Sequence, residues 1–318
     1  MSPTFLIVGA TGNTGAGVTK TLAKELSSSP RFAQHRVIAL TRHAESSTAK
    51  ELASKQHVEV VEQDWTEITT KWLQDHEVER IFIASHNGPT QFSDESLFLT
   101  HALESGCVEY VVRISTTAGN IGPATKVAYA RTHWAIETML ESPEFGSLGW
   151  TSLRPNVFPN SSAWVGDWYR DYKKTGKQGT LKMGIDKDAP LAPIDPVEVG
   201  IIAAKLLAQE DISRYNRQKY VLVGPENVTG KGVVELVEKF VGEKVENVSY
   251  RDTSFADSLK AKGGNRNLID NTVTAFISAF DGSQSVEGSP TSPELLELYQ
   301  LQHGAYAAWQ KELEDIQG

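Results

Sequence analysis

Three polar residues in the middle of the chain have the types and spacing of groups that act on one ligand. Ser115 closes an apolar run, Tyr110-Val-Val-Arg-Ile, that reads as a strand. Tyr129 and His133 follow on a helix expected over about residues 125–141, four positions apart and therefore on one face. A hydroxyl, a phenol and an imidazole gathered around one molecule can hold it by hydrogen bonds and hand it a proton. Glu137 stands four residues beyond His133. With no third ligand nearby the pair reads as a local hydrogen bond, and no metal site is expected.

A second constellation sits near the start, where Phe5-Leu-Ile-Val8 reads as a buried strand. Gly9-Ala-Thr11-Gly12-Asn13-Thr14-Gly15 follows it, and Val18, Leu22 and Leu26 then recur as one face of a helix. A strand, a glycine turn and a helix N-terminus together form an anion site. The turn has no Cβ atoms to hold a diphosphate away, and the first free N–H groups of the helix face it.

Positioning these groups requires a sheet. Further strands are expected at Arg36–Thr41, Val58–Asp64, Arg80–Ser85, Tyr110–Ser115, Trp150–Arg154 and Lys219–Val223, with helices between most of them. That rhythm implies right-handed crossovers and a Rossmann-type, doubly wound parallel α/β sheet. A dinucleotide would lie across the carboxyl ends of its strands. Gly9 to Gly15, Arg42, Asp64, Ser85, Asn87, Ser115, Pro155 and Asn156 then surround one crevice. The second strand ends in Thr41-Arg42-His43, without the carboxylate that would hold a free ribose 2′-hydroxyl. A guanidinium suits a 2′-phosphate, so the expected cofactor is NADP. Asp64 either accepts from the adenine amino group or caps the helix beginning near Thr66. The loop His86-Asn87-Gly88-Pro89 would cross the middle of the cofactor.

Residues 1–155, with 190–230 returning to them, are expected to form the NADP-binding domain. Residues 156–189 and 231–318 would form a smaller, mainly helical substrate lobe. Periodicity fades over 156–190, where Trp164, Trp168, Tyr169 and Tyr172 crowd together. They either wall a pocket for a flat or apolar substrate or pack the lobe onto the sheet. Asp195-Pro196-Val-Glu198 carries the signals of a helix start. Helical pattern is expected again over Val233–Val241, Leu268–Phe280 and Pro293–Leu313.

The totals narrow the partners. A net charge of −9 without a basic cluster disfavours nucleic acid. A single cysteine, Cys107, excludes an internal disulfide, and no apolar run approaches membrane-spanning length, so a cytoplasmic location is expected.

The order Ser115, then Tyr129-Ala-Arg-Thr-His133, resembles the short-chain dehydrogenase/reductase arrangement of Ser and Tyr-x-x-x-Lys. In that family the serine orients a carbonyl, the tyrosine supplies a proton, and the lysine holds the nicotinamide ribose and acidifies the tyrosine. Here His133 stands in the lysine's place, and a mostly neutral imidazole acidifies a phenol less than an ammonium does. The glycine turn, the Thr41-Arg42 tip, the helix segment His133-Trp-Ala-Ile-Glu137-Thr-Met-Leu140, Thr151-Ser-Leu-Arg154-Pro155-Asn156 and the Ile194-Asp195 helix start together resemble the NmrA-like family, an atypical branch of those enzymes. The resemblance covers about residues 4–240. It implies an NADPH-dependent reductase of a small apolar carbonyl, enone or iminium compound, often in secondary metabolism. Ser115 would polarise the acceptor, Tyr129 would donate or relay a proton, and His133 would hold the ribose or share the proton transfer. It equally admits an NADP-binding redox sensor that acts on a protein partner without turnover, or a redox-neutral isomerase or cyclase.

Overall fold

The computed structural model describes residues 2–159 and 164–318. In chain order the strands are β1 (Thr4–Val8), β2 (Arg36–Thr41), β3 (Val58–Glu62), β4 (Val78–Ile83), β5 (Tyr110–Ile114), β6 (Gly149–Pro155), β7 (Leu181–Lys182), β8 (Gln218–Leu222) and β9 (Val248–Ser249). The helices are α1 (Gly15–Ser28), α2 (Ser47–Ala53), α3 (Thr70–Asp75), α4 (Gln91–Ser105), α5 (Ala128–Glu141), α6 (Trp164–Thr175), α7 (Pro196–Leu207), α8 (Gly230–Val241), α9 (Phe255–Ala261), α10 (Arg266–Ile277), α11 (Pro293–Leu298) and α12 (Ala305–Gln317).

Seven strands form one sheet in the order β3-β2-β1-β4-β5-β6-β8, every pair parallel. β1 is buried along its whole length, as a strand covered on both faces must be. Alternation along it sends Phe5 and Ile7 toward α1 and α7, where they meet Val18, Leu22 and Ile202. Leu6 and Val8 point the other way, toward Leu99 and Ala102 of α4 and Ile136 of α5. The strand order reverses between β1 and β4, which opens a crevice at their carboxyl ends. This is the α/β Rossmann architecture expected from the sequence.

α1 and α7 touch backbone to backbone. A Cβ on Gly200 would lie 2.5 Å from the Thr14 carbonyl oxygen, and one on Gly17 would lie 2.9 Å from that of Val197. The pair of glycines therefore fixes where α1 begins. A third apolar cluster gathers Val165, Trp168 and Tyr169 of α6 with Val233 and Val237 of α8 and Trp309 and Leu313 of α12. The β7–β9 pair lies beside it. No helix among the described residues is long and apolar enough to cross a membrane.

Three local expectations are corrected. The stretch read as irregular contains α6, whose buried face runs through Val165, Trp168 and Tyr169; its aromatic residues are indifferent helix formers, which hid the period. The helix expected over Pro293–Leu313 is broken between α11 and α12. There the buried Glu198 carboxylate accepts from the N–H groups of Gln302 and His303, and Glu226 accepts from that of Tyr306, replacing helix carbonyls with side chains. β6 extends one residue beyond the expected Arg154, to Pro155, which pairs with Leu222.

Candidate functional site

The glycine turn is built so that nothing but glycine fits at its corners. Gly9 has φ +80°, and a Cβ there would lie 3.0 Å from the Ala84 carbonyl oxygen. A Cβ on Gly15 would lie 2.1 Å from the Gly9 carbonyl oxygen. Gly12 N–H donates to that same oxygen at 3.0 Å, which closes the turn. Thr14 gives α1 no side-chain cap, and the first turn of α1 carries no acidic residue. The helix N-terminus therefore faces the crevice with its positive end uncompensated, above exposed Gly12 and Asn13. Thr11 Oγ1 lies 3.3 Å from Thr41 Oγ1, tying the turn to the tip of β2. The arrangement fits a dinucleotide diphosphate.

Arg42 is exposed at that tip. Asp64, at the tip of β3, accepts from the Thr66 N–H at 2.9 Å and from its hydroxyl at 2.8 Å. Those two bonds, and then the Arg42 charge, hold its carboxyl below the usual range against the opposing effect of burial. Asp64 thus caps the short helix Trp65–Glu67.

Beyond the carboxyl ends of β4 to β6 lies a cavity of about 360 Å³. Its polar side includes Ser85, Asn87, Ser115, Asn120, Tyr129 and His133; its apolar side includes Trp164, Ile185, Leu191, Phe276 and Trp309. Ser115, Tyr129 and His133 are thus brought to one space, as are Ser85, Asn87, Pro155 and Asn156. The aromatic cluster divides between its two expected roles. Trp164 lines the cavity, whereas Trp168 stacks on Tyr172 and donates its indole N–H to the Gly179 carbonyl.

Asn156 lines the cavity and is also clamped from within. Its Nδ2 donates to the carbonyls of Ala192 and Gln284, both at 2.9 Å, and its Oδ1 accepts from Val157 N–H. Ser85 is also anchored, donating to Glu95 Oε2 at 2.5 Å.

A buried ionic network underlies this wall, and the sequence reading missed its centre. Arg113 of β5 donates from Nε to Glu95 Oε1 at 2.7 Å, from Nη1 to Ser152 Oγ at 3.0 Å and from Nη2 to His133 Nδ1 at 2.9 Å. Glu137 does not bond His133. Its Oε2 accepts from Arg154 Nη2 at 2.5 Å and its Oε1 from Ser152 Oγ at 2.7 Å. Burial pushes the Glu137 carboxyl up, but the Arg154 bond, the Arg113 charge and the Ser152 bond outweigh it and leave it lowered. Two guanidinium groups balance two carboxylates, so the cluster is neutral only while His133 is neutral. Burial, reinforced by Arg113, holds that imidazole well below its ordinary range. Since Arg113 can only donate, Nδ1 is the acceptor and Nε2 carries the hydrogen. Asn87 Oδ1, on the cavity side, and the buried Gln91 side-chain amide each lie 3.3 Å from that nitrogen. The signal in the sequence was Arg113 itself, a charge inside an otherwise apolar strand, which demands a buried partner.

Tyr129 bonds Thr116. Burial raises its pKa and the Thr116 bond opposes the rise, so the phenol stays protonated. Ser115 Oγ is buried without a hydrogen-bond partner among the described residues.

The chain matches the model of the NmrA-like family over residues 1–299. No curated protein sequence matches it. Among solved structures it is similar to the Citrobacter sp. triphenylmethane reductase complexed with NADP(H), with a TM-score of 0.70 and 18% identity over 97% of this chain and 99% of that one. It is similar to an Escherichia coli NADPH-dependent quinone oxidoreductase complexed with NADPH, with a TM-score of 0.65 and 20% identity over 93% and 100% of the two chains. It is also similar to NmrA, a negative transcriptional regulator, in complex with NAD, with a TM-score of 0.71 and 14% identity over 99% and 96%.

Proposed function

The chain belongs to the NmrA-like family, and from that premise we propose that it is an NADPH-dependent reductase of a small, largely apolar carbonyl, enone or iminium compound. The observation that carries this reading is the cavity itself. A polar end holding an unpartnered serine hydroxyl and a protonated phenol faces an aromatic wall, at the strand ends where a nicotinamide would rest. Reductases complexed with NADP(H) and NADPH share the fold. In this reading residues 1–155 and 190–230 bind the nucleotide, and residues 156–189 and 231–318 close over the substrate.

NADPH, when bound, supplies the hydride. The turn from Gly9 to Gly15, through Thr11, Asn13, Thr14 and the N-terminus of α1, holds the diphosphate. Arg42 pairs with the 2′-phosphate, and the backbone around Ser85, Asn87 and Pro155 shapes the middle of the crevice. Ser115 Oγ–H donates to the acceptor atom of the substrate and polarises it. Tyr129 Oη–H delivers the proton from a neutral phenol. His133 has one hydrogen, on Nε2, which would turn to the ribose or stay with Asn87, and it does not relay the proton, because Arg113 occupies its other nitrogen.

The test is loss of NADPH absorbance with quinones, enones and cyclic imines as acceptors. NADP binding with no turnover across that panel overturns the reductase. It would favour a regulator, which the neutral imidazole in place of an ammonium also favours.

A further inference from the structure

We propose that the cavity contains a second polar recognition point, made by Gln284 and Trp309. The ligand it takes is an uncharged, largely apolar molecule that carries, besides its reducible group, a hydroxyl, phenol or secondary amide. This rests on the reductase reading and specifies its substrate class.

Both residues line the cavity. Gln284 is 3% exposed and Trp309 is 2% exposed, and Gln284 Oε1 and Trp309 Nε1 have no hydrogen-bond partner among the described residues. Their chemical sense is fixed. Ser278 Oγ donates its hydrogen to the Ala275 carbonyl at 2.6 Å, so toward Gln284 it can only accept. The Gln284 atom 3.1 Å from it is therefore the amide nitrogen, and the free atom is the carbonyl oxygen, an acceptor. The indole N–H of Trp309 is a donor and nothing else. Around them stand Trp164, Ile185, Leu191 and Phe276, which offer no partner to either. A buried donor and a buried acceptor left open in an apolar wall are stabilised by a ligand that presents the complementary pair.

The charge of the ligand follows from the same lining. No described residue of the cavity wall carries a charge, His133 being neutral. A carboxylate or ammonium would enter without a counter-charge, whereas a hydroxyl, phenol or secondary amide can donate to Gln284 Oε1 or accept from Trp309 Nε1 without bringing a charge.

The experiment measures binding in the presence of NADP⁺ for benzylideneacetone and its para-hydroxy, para-methoxy and para-carboxylate derivatives. All four keep the same enone. The para-hydroxy compound is expected to bind about tenfold tighter than the parent, as a hydrogen bond to a buried, otherwise unsatisfied group implies. The methoxy compound, which only accepts, falls between them, and the carboxylate binds worst. Gln284→Met and Trp309→Phe each reduce the ratio of para-hydroxy to parent affinity, read within one variant so that a packing change common to both ligands cancels. Equal affinity for parent and para-hydroxy compound overturns the subsite, and so does an advantage that survives both variants. NADPH oxidation with equal affinities removes the subsite and leaves the reductase standing. Binding of none of the four overturns the subsite, and the reductase is then decided by the acceptor panel alone. The comparison among ligands on the unmodified protein stands even if a variant fails to fold.

Discussion

Two regions a few residues apart handle buried polar groups in opposite ways. Beneath the crevice wall, Glu95, Arg113, Glu137 and Arg154 are matched charge for charge, and each is hydrogen-bonded. In the cavity on the other side of His133, Ser115 Oγ, Gln284 Oε1 and Trp309 Nε1 are buried with no hydrogen-bond partner among the described residues. The first region is closed and holds geometry; the second keeps bonding capacity for something that enters. His133 belongs to both, with Nδ1 in the network and Nε2 toward the cavity. Completeness of bonding separates these four charged side chains from the open atoms of the cavity better than polarity or burial does, since both sets are polar and buried, although Gln91 Oε1 beside His133 is also without a partner among the described residues.

If the network is scaffold, breaking it should damage the fold before the chemistry. Arg113→Met leaves Glu95 buried without its closest cation and should destabilise the protein by about 3–5 kcal/mol, measured by urea unfolding. A loss below about 1 kcal/mol would place Arg113 among ordinary surface-like pairs and erase the contrast. If the cavity is the site, Tyr129→Phe should show the reverse. Turnover should fall about a hundredfold with NADPH affinity and unfolding midpoint nearly unchanged. Wild-type turnover in that variant would move the proton donor elsewhere. Arg42→Ala reaches neither region and should weaken NADPH about tenfold while sparing NADH, because one charge-assisted contact is removed from the 2′-phosphate. Equal losses for both nucleotides would remove that contact.

What the sequence disclosed divides along the same line. The turn at Gly9 to Gly15 was legible because strand, glycines and helix are contiguous and each carries its own local signal. The start of α7 was legible for the same reason, with Asp195 accepting from the Val197 N–H at 2.8 Å and Pro196 at the first helical position. Ser115, Tyr129 and His133 were found as residues and His133 was read as mostly neutral, but its tautomer and the partner that sets it were not, because both depend on Arg113 from a separate strand. Gln284 and Trp309 come from segments more than a hundred residues beyond Ser115 and have no spacing to betray them. The approach of α1 to α7 through Gly17 and Gly200 was hidden likewise. Pairings between distant segments leave no periodic trace, and both the network and the open subsite consist of such pairings.

The smallest effect tests the hinge between the two regions. His133 is held neutral in the folded chain, with a pKa well below the ordinary 6.5, whereas in the unfolded chain it titrates near that value. Below pH 6.5 the unfolded state therefore binds one more proton than the folded state, and stability falls as pH falls. One proton corresponds to about 1 kcal/mol lost between pH 6.5 and 5.5. Glu137 works in the same direction, but its depressed carboxyl is lost only as pH falls below the ordinary carboxylate value near 4.5, so the two windows do not overlap. His133→Gln preserves an acceptor for Arg113 and a donor for Asn87 but removes the titration. The difference in unfolding free energy between this variant and the parent should therefore change by about 1 kcal/mol over that single pH unit, and stay constant above pH 7.5. A difference that does not move with pH would mean that His133 gains a proton in the folded chain. The network beneath the crevice would then carry an unbalanced charge, and the division between closed scaffold and open site would fail at the residue that joins them.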